Sequence, residues 1–448
     1  MIASSDFFKS LEASRPSRLA SRLLPSLFTI RGVDIWGPHS LRLNQCLVVR
    51  NQVIEKLGPD LPVEGEELQV GPVLLPAGVD VQAHLRVPGQ AQKETPLTGL
   101  RAALRGGFGA VLTMPNTQPV IDRVEVLEQA RREVAEAEIQ TGVKVFWSAA
   151  LTLGQAGESL VDFVSLASKG VKAFTDDGKG LASDTLMEGA LRSLSSLGLP
   201  LLQHAEFPGH GGVLAPSSVQ KSLGVPPYFD DPEWRMVERD LRLLQKFPKA
   251  RYHVLHVSSA KTVELVKQAK KKSLLATCEV SPHHLLLEAE QISPHDTAYK
   301  MNPPLRSRAD REVLLEALVA GDIDFVATDH APHEAEKKSL GFQEAPFGTI
   351  GLEACLRVLL DFYARGLISA QRLVQTFSTR PAEFLGLEKE FGHLEVGRVF
   401  RAVSVDPTAP ARPLLEKEIE SLSCNSCFLG HELVGRIQVV WMGEKAWF

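Results

Sequence analysis

The chain is poor in cysteine, carries no marked excess of either charge, and has no long apolar run. Five cysteines, at 46, 278, 355, 424 and 427, are scattered through 448 residues. So sparse and odd a set excludes a disulfide-built fold and fits a reducing, cytoplasmic setting. Cys424 and Cys427 form one Cys-x-x-Cys, but no second pair accompanies it, so a structural zinc knuckle lacks half its ligands. A formal net charge of -5 is small for this length. It argues against a nucleic-acid or membrane surface and for small molecules and other proteins as partners. No stretch reaches the roughly 20 apolar residues of a membrane span. Residues 1–26, mixed in Ser, Arg and Leu, lack the continuous apolar segment of a secretory signal and read as a short amphipathic extension. No Gly-x-Gly-x-x-Gly follows the first strand candidate of the central region, which weighs against an open dinucleotide-binding sheet.

What is present is a hydrophobic content of 44%, enough for one large core and a small satellite. Short apolar runs separated by turn residues, such as "LFTIRGVDIW" and "QCLVVRNQVIEKLG", give residues 27–75 the texture of a small antiparallel β unit. Residues 392–448 share it, with "FRAVSVDP" and "LVGRIQVVWMG", so the two ends are expected to pair as one small β-sandwich domain. Between them, over 76–391, apolar strands alternate with helical patterns at intervals of about thirty residues, the size of a βαβ unit. The strand candidates run from "VLLPAGVDVQAH" through "GAVLTMPN", "KVFWSAAL", "GVKAFTDD", "LPLLQHAE", "YHVLHVS" and "LLATCEVSPHH" to "DFVATDHAPH". Eight such units predict an α/β fold, a (β/α)8 TIM-like barrel.

Polar residues gather at the C-terminal ends of these strands: His84 and Arg86, Asn116, Asp176 and Asp177, His204, His256, His283 and His284, and Asp329 with His330 and His333. Barrel enzymes act at that face. A single histidine closing a strand is commonplace. Five strands ending this way bring imidazoles and carboxylates to one mouth, and these are the ligands of a hydrolytic zinc.

The stretches "AHLRVPGQ", "KETPLTGLRAALRGGFGAVLTMPNTQPVID", "GVKAFTDDG", "QHAE", "LHVSSAKTVELV", "CEVSPHHL", "KMNPPLRS", "ATDHAPHEAEKK" and "EAPFGTIGLE" together resemble the dihydroorotases of the amidohydrolase superfamily, in the bacterial class whose metals are bridged by an aspartate. The resemblance runs from about Arg31 to the C-terminus. It implies a zinc enzyme of de novo pyrimidine biosynthesis, holding one or two ions and reversibly hydrolysing the cyclic amide of dihydroorotate to N-carbamoyl-aspartate. It implies His84, Asp177, His204, His256 and Asp329 as metal ligands, with Asp177 as the bridge and Asp329 also moving the proton. It implies substrate contacts from His84, Arg86, Asn116, Asn302 and His333, and a backbone contact from Phe347 and Gly348. A homo-oligomer is expected. The physical logic agrees: amides resist attack at neutral pH, a zinc lowers the pKa of bound water to about 7, and a substrate carboxylate calls for a planar cation such as Arg86. Other superfamily members bridge with a carboxylated lysine; Lys172 stands nearby, but "FTDD" follows it, and Lys172 reads as a strand lysine without metal contact.

The pattern breaks at Gln82, where the family has the first histidine of His-x-His. A neutral amide oxygen is a weak zinc donor, so the first metal is expected to be weakened and the second kept. Val87, before Pro-Gly, and the opening of "GRVFRAVSVD" depart as well and read as structural. Two classes of function follow: a working dihydroorotase, or a catalytically impaired scaffold for aspartate carbamoyltransferase. Retention of Arg86, Asn116, Asp177, His204, His256, Asn302, Asp329 and His333 favours the enzyme. A hydantoinase or allantoinase would keep the reaction and change the ring; "NPPLR" and "DHAPH" fit dihydroorotase better.

Overall fold

A computed structural model describes residues 17–448. Residues 1–16 of the expected extension lie outside the described residues. Eight strands form the centre: Gly78–Ala83 (β1), Phe108–Thr113 (β2), Lys144–Ala149 (β3), Ala173–Phe174 (β4), Pro200–Gln203 (β5), Arg251–Val254 (β6), Ala276–Val280 (β7) and Phe325–Val326 (β8). Each pairs in parallel with the next, in chain order. The last returns to the first through a parallel bridge between Ala83 and His330. Asp80 reinforces that seam, accepting hydrogen bonds from the Thr328 N–H at 3.0 Å and the Thr328 hydroxyl at 2.5 Å. The eight-stranded barrel expected from the alternating pattern is therefore present, and its strands are almost wholly buried, as a parallel sheet covered by helices requires.

The helices start where local chemistry tells them to. In Pro96–Arg105, Thr95 caps the first turn by accepting from the Thr98 N–H at 3.2 Å, proline occupies the first turn, and Leu97, Leu100 and Leu104 face the barrel. Val124–Thr141 ends on Gly142 in the left-handed region.

The chain ends meet in one nine-stranded sheet. Arg436–Met442 and Ala402–Asp406 from the C-terminal side are antiparallel neighbours, and Ala402–Asp406 pairs in turn with Val73–Pro76. Leu27–Trp36, Leu41–Arg50 and Val53–Gly58 continue the sheet. Phe28, Ile30, Leu47, Phe400 and Trp441 fill a core of their own. Ser21–Leu23, within the region expected to be an extension, pairs with Lys445–Trp447 at the sheet's edge. Among the described residues no helix is long and apolar enough to cross a membrane.

Candidate active site

The residues singled out from the sequence follow directly on barrel strands: His84 after β1, Asn116 after β2, Asp177 after β4, His204 after β5, His256 after β6 and Asp329 after β8. Parallel strands carry all these ends to the same face. Three of the residues there hold unusual backbone: Arg86 (φ 60°), His256 (φ 30°) and Asp329 (φ 47°) lie in the left-handed region. Non-glycine residues pay of order 1–3 kcal/mol to sit there, and such strain persists where the surroundings fix a side chain for use.

Asp177 is the hub. Its Oδ1 lies 3.6 Å from His204 Nδ1 and 3.9 Å from His256 Nε2. His204 Nδ1 and His256 Nε2 are 3.0 Å apart. These three buried residues each offer a ligand atom, and the atoms all lie within 4.8 Å of one another. Two imidazoles and a carboxylate converging so closely suit a zinc-class cation. On the other side of the hub, Asp177 Oδ2 accepts from Asn116 Nδ2 at 3.1 Å and lies 3.4 Å from His84 Nε2. That same nitrogen is 3.2 Å from Asp329 Oδ1, while His84 Nδ1 is 2.9 Å from Asn116 Oδ1.

The electrostatics follow from this crowding. Burial drives the Asp177 carboxyl upward, but the hydrogen bond with His204 and the charges of His84, His204 and His256 outweigh it and hold it well below the usual carboxylate range. Burial, against the pull of His84 and with the push of Asp177, raises Asp329. Two carboxylates in one cleft are thus set apart, one firmly ionised and one more ready to take a proton.

Gln82 is fully buried and points into this cluster, as residues two apart on a strand must. Its Nε2 donates to Asp177 Oδ1 at 3.1 Å, and its Oε1 has no partner among the described residues.

Arg86 and His333 sit together: Arg86 Nη2 is 3.3 Å from His333 Nε2, and Arg86 Nε donates to the Pro332 carbonyl at 3.2 Å. Burial and the Arg86 charge push the His333 imidazole down to about 2, so the pair carries one cation, the guanidinium. Asn302 Nδ2 donates to Glu206 Oε2 at 2.7 Å. Phe347 stacks beneath Lys300 Nζ, 4.6 Å from its ring centre. Gly348 has φ 140°, and a Cβ there would come within 2.9 Å of both the Ala331 carbonyl oxygen and His333 Cδ2, so only glycine fits beside His333. The Gly348 N–H donates to the Lys300 carbonyl at 2.9 Å, and its carbonyl accepts from Lys338 Nζ at 2.9 Å and Asn425 Nδ2 at 3.1 Å. Both backbone groups of Gly348 thus bond to protein, whereas no backbone hydrogen bond of Phe347 is found among the described residues.

Other residues at strand ends are spent elsewhere. Asp176 accepts from the Leu151 and Thr152 N–H groups at 2.8 and 3.1 Å, and His284 Nε2 lies 3.0 Å from the Pro303 carbonyl. Glu206 carries more weight than the sequence reading gave it. Its Oε2 is 2.9 Å from His204 Nε2, where it can accept a proton carried on that nitrogen, while Nδ1 faces Asp177 and His256. Its other oxygen meets His210 Nε2, and Tyr228 O–H donates to Asn302 Oδ1 at 2.9 Å. The signal was in "QHAE": residues two apart beyond a strand end share a face. Asn425, between the two cysteines of "CNSC", also escaped notice. Its Oδ1 accepts from the His333 N–H at 3.2 Å, and its Nδ2 donates to the Ala331 carbonyl at 3.0 Å. The Cys-x-x-Cys stretch thus shapes the loops around His333. Burial pushes the Cys427 thiol up to about 12, away from redox reactivity.

Residues 73–430 match the family model described as "Amidohydrolase family". A dihydroorotase from Geobacillus thermodenitrificans (strain NG80-2) is 38% identical over 403 residues, covering 89% of this chain and 91% of its own. A dihydroorotase from Listeria welshimeri serovar 6b is 36% identical over 421 residues, covering 91% and 96%. Among solved structures, an L-hydantoinase (dihydropyrimidinase) from Arthrobacter aurescens superposes with a TM-score of 0.81 at 21% identity, over 93% of this chain and 94% of that one. That last likeness speaks for the fold.

Proposed function

The chain belongs to the amidohydrolase family and is a hydrolase of cyclic amides, and on that premise we propose that its substrate is dihydroorotate, opened reversibly to N-carbamoyl-aspartate in pyrimidine synthesis with zinc as the metal. The observation that carries this reading is the Arg86–His333 pair beside the Asp177 cluster. A ring bearing a carboxylate next to the scissile amide needs a planar cation at one side of the mouth, whereas an unsubstituted hydantoin or dihydropyrimidine ring does not.

In this reading Asp177, His204 and His256 hold the ion. Bound there, zinc supplies Lewis acidity that polarises the amide carbonyl and eases deprotonation of water. The rest falls to side chains. The remaining N–H groups of Arg86 clamp the substrate carboxylate, with neutral His333 and Asn116 beside it and Asn302 towards the ring. The raised carboxyl of Asp329 takes the proton of the attacking water and hands it to the departing ring nitrogen, the dual role a positioned carboxylate can play. His84, between Asn116 and Asp329, orients that carboxyl. Glu206 keeps His204 in the tautomer that faces the ion.

One observation favours the second reading, an impaired scaffold that assembles with aspartate carbamoyltransferase: the Gln82 amide sits against Asp177 where a metal ligand is expected. The remaining constellation supports the enzyme. Assaying ring opening of dihydroorotate, dihydrouracil and hydantoin in parallel tests the proposal. We expect kcat/KM for dihydroorotate to exceed the others by at least about a hundredfold, since an unpaired buried guanidinium penalises rings lacking the carboxylate. Equal or better turnover of a ring without a carboxylate overturns it.

A further inference from the structure

A second cavity, of about 40 Å³, lies where the barrel meets the end sheet and is lined by four arginines, Arg105, Arg357, Arg412 and Arg436, together with Trp447. Glu353 and Glu418 are the acids in its lining. Both are committed. Glu418 Oε1 accepts from Arg412 Nη2 at 2.7 Å and Arg105 Nη2 at 3.3 Å, and its Oε2 accepts from Arg412 Nη1 at 2.9 Å. Glu353 Oε1 accepts the backbone N–H groups of Glu420 and Ser421 at 3.0 and 3.2 Å. Four guanidiniums thus share the lining with two acidic side chains and with the chain-terminal residue Phe448, and an excess of positive charge is left in a half-enclosed space.

The donors are left over too. Arg357 is 5% exposed, and its Nη2 donates to the Arg412 carbonyl at 2.8 Å. Its Nε and Nη1 have no partner among the described residues, and neither do Arg412 Nε or Trp447 Nε1, although all four atoms are buried. A buried, unpaired donor is costly, more so when charged. Burial and the neighbouring Arg412 bring the Arg357 guanidinium down to about 10, so it remains a cation at neutral pH. A fold that gathers four arginines around one cavity and leaves buried N–H groups of its lining residues unpaired complements a compact, multiply charged acceptor. The volume suits a small group: a water takes roughly 10–15 Å³ on the same measure. The unpaired single donors of Arg357, Arg412 and Trp447 suit separate oxygens of a phosphate.

We propose that this cavity is an anion site for a phosphate group, held chiefly by Arg357 and Arg412 with Trp447 Nε1 as a further donor, and bridging the barrel helix Leu352–Ala364 to the end sheet. The phosphate is either the free ion or part of a larger ligand whose remainder lies outside the cavity. The site is separate from the barrel mouth and independent of the substrate assignment.

Calorimetric titration of the full chain with inorganic phosphate and with a nucleoside monophosphate, at constant ionic strength in chloride, tests it. The expected result is saturable binding of one phosphate group per chain at this site, retained in Arg86→Ala and weakened at least about tenfold in Arg357→Met. Tighter binding of the nucleotide identifies a larger ligand, and equal binding identifies the free ion. No binding to the unaltered protein, or equal binding to Arg357→Met, overturns the proposal. Should that variant not fold, crystals of the unaltered protein soaked in tungstate decide: anomalous density between Arg357 and Arg412 supports the site, and its absence from the cavity refutes it.

Discussion

Gln82 and Arg86 stand four residues apart, and the proposed function gives them different halves of the chemistry. In the proposed function, Gln82 would set how much metal the centre holds. Its amide N–H uses a lone pair of Asp177 that a second cation would otherwise share, and its own oxygen is left without a partner. Replacing Gln82 with His should raise bound zinc towards two ions per chain and raise turnover with it, as read by elemental analysis beside the steady-state rate. Zinc that rises while turnover stays at background would place the defect elsewhere. In the same proposal, Arg86 would set what the centre binds. Arg86→Ala should raise KM for dihydroorotate at least about tenfold, the scale of a lost charge-assisted contact, with zinc content unchanged. A variant with normal KM would show that the carboxylate clamp is misassigned. At this scale the sequence was informative wherever residue type and strand end coincide, as at His84, Asp177, His204, His256 and Asp329. It was silent where a residue acts through another: Glu206 orients His204, and Asn425 braces His333, through contacts no linear spacing encodes.

Among elements, the barrel strands and their helices were legible because apolar runs and amphipathic segments alternate at a regular interval. β4 and β8, each two residues long, lie within the apolar stretches "GVKAFTDD" and "DFVATDHAPH" that marked them in the sequence and are shorter than those stretches. The closing seam was not legible. It depends on Asp80 accepting from Thr328 across the first and last strands, a pairing of residues 248 apart. Burial raises the Asp80 carboxyl from 3.8 to about 6. A folded pKa above the unfolded one means the native state holds the extra proton between about pH 4 and 6. The resulting stabilisation is complete below the unfolded pKa and is lost as pH rises through 6. Asp80→Asn, which is neutral throughout, should flatten the decline in urea midpoint across that window. An unchanged slope would assign it to other groups. The loop carrying Gly348 is the second such element. Gly348→Ala forces a Cβ against the Ala331 carbonyl and His333, and should raise KM for dihydroorotate while leaving zinc content alone. Unchanged KM would show that the loop yields without disturbing His333.

At the scale of the whole molecule, one sheet gathers strands from both chain ends beside a barrel that carries the site. We propose residues 27–75 with 392–448 as the small β unit and 76–391 as the hydrolase unit. The unit of both ends was legible from the shared texture of short apolar runs; the joining of Ser21–Leu23 to its edge was not, because three exposed residues carry no periodicity. The central claim is that this constellation, even with Gln82, is a working zinc hydrolase of dihydroorotate rather than a scaffold. The most direct measurement is turnover of dihydroorotate by chelator-stripped protein titrated with zinc, with bound metal followed in the same samples. The account predicts background rate without metal and formation of N-carbamoyl-aspartate that rises in step with zinc bound. Zinc that binds fully while dihydroorotate remains unopened would contradict it.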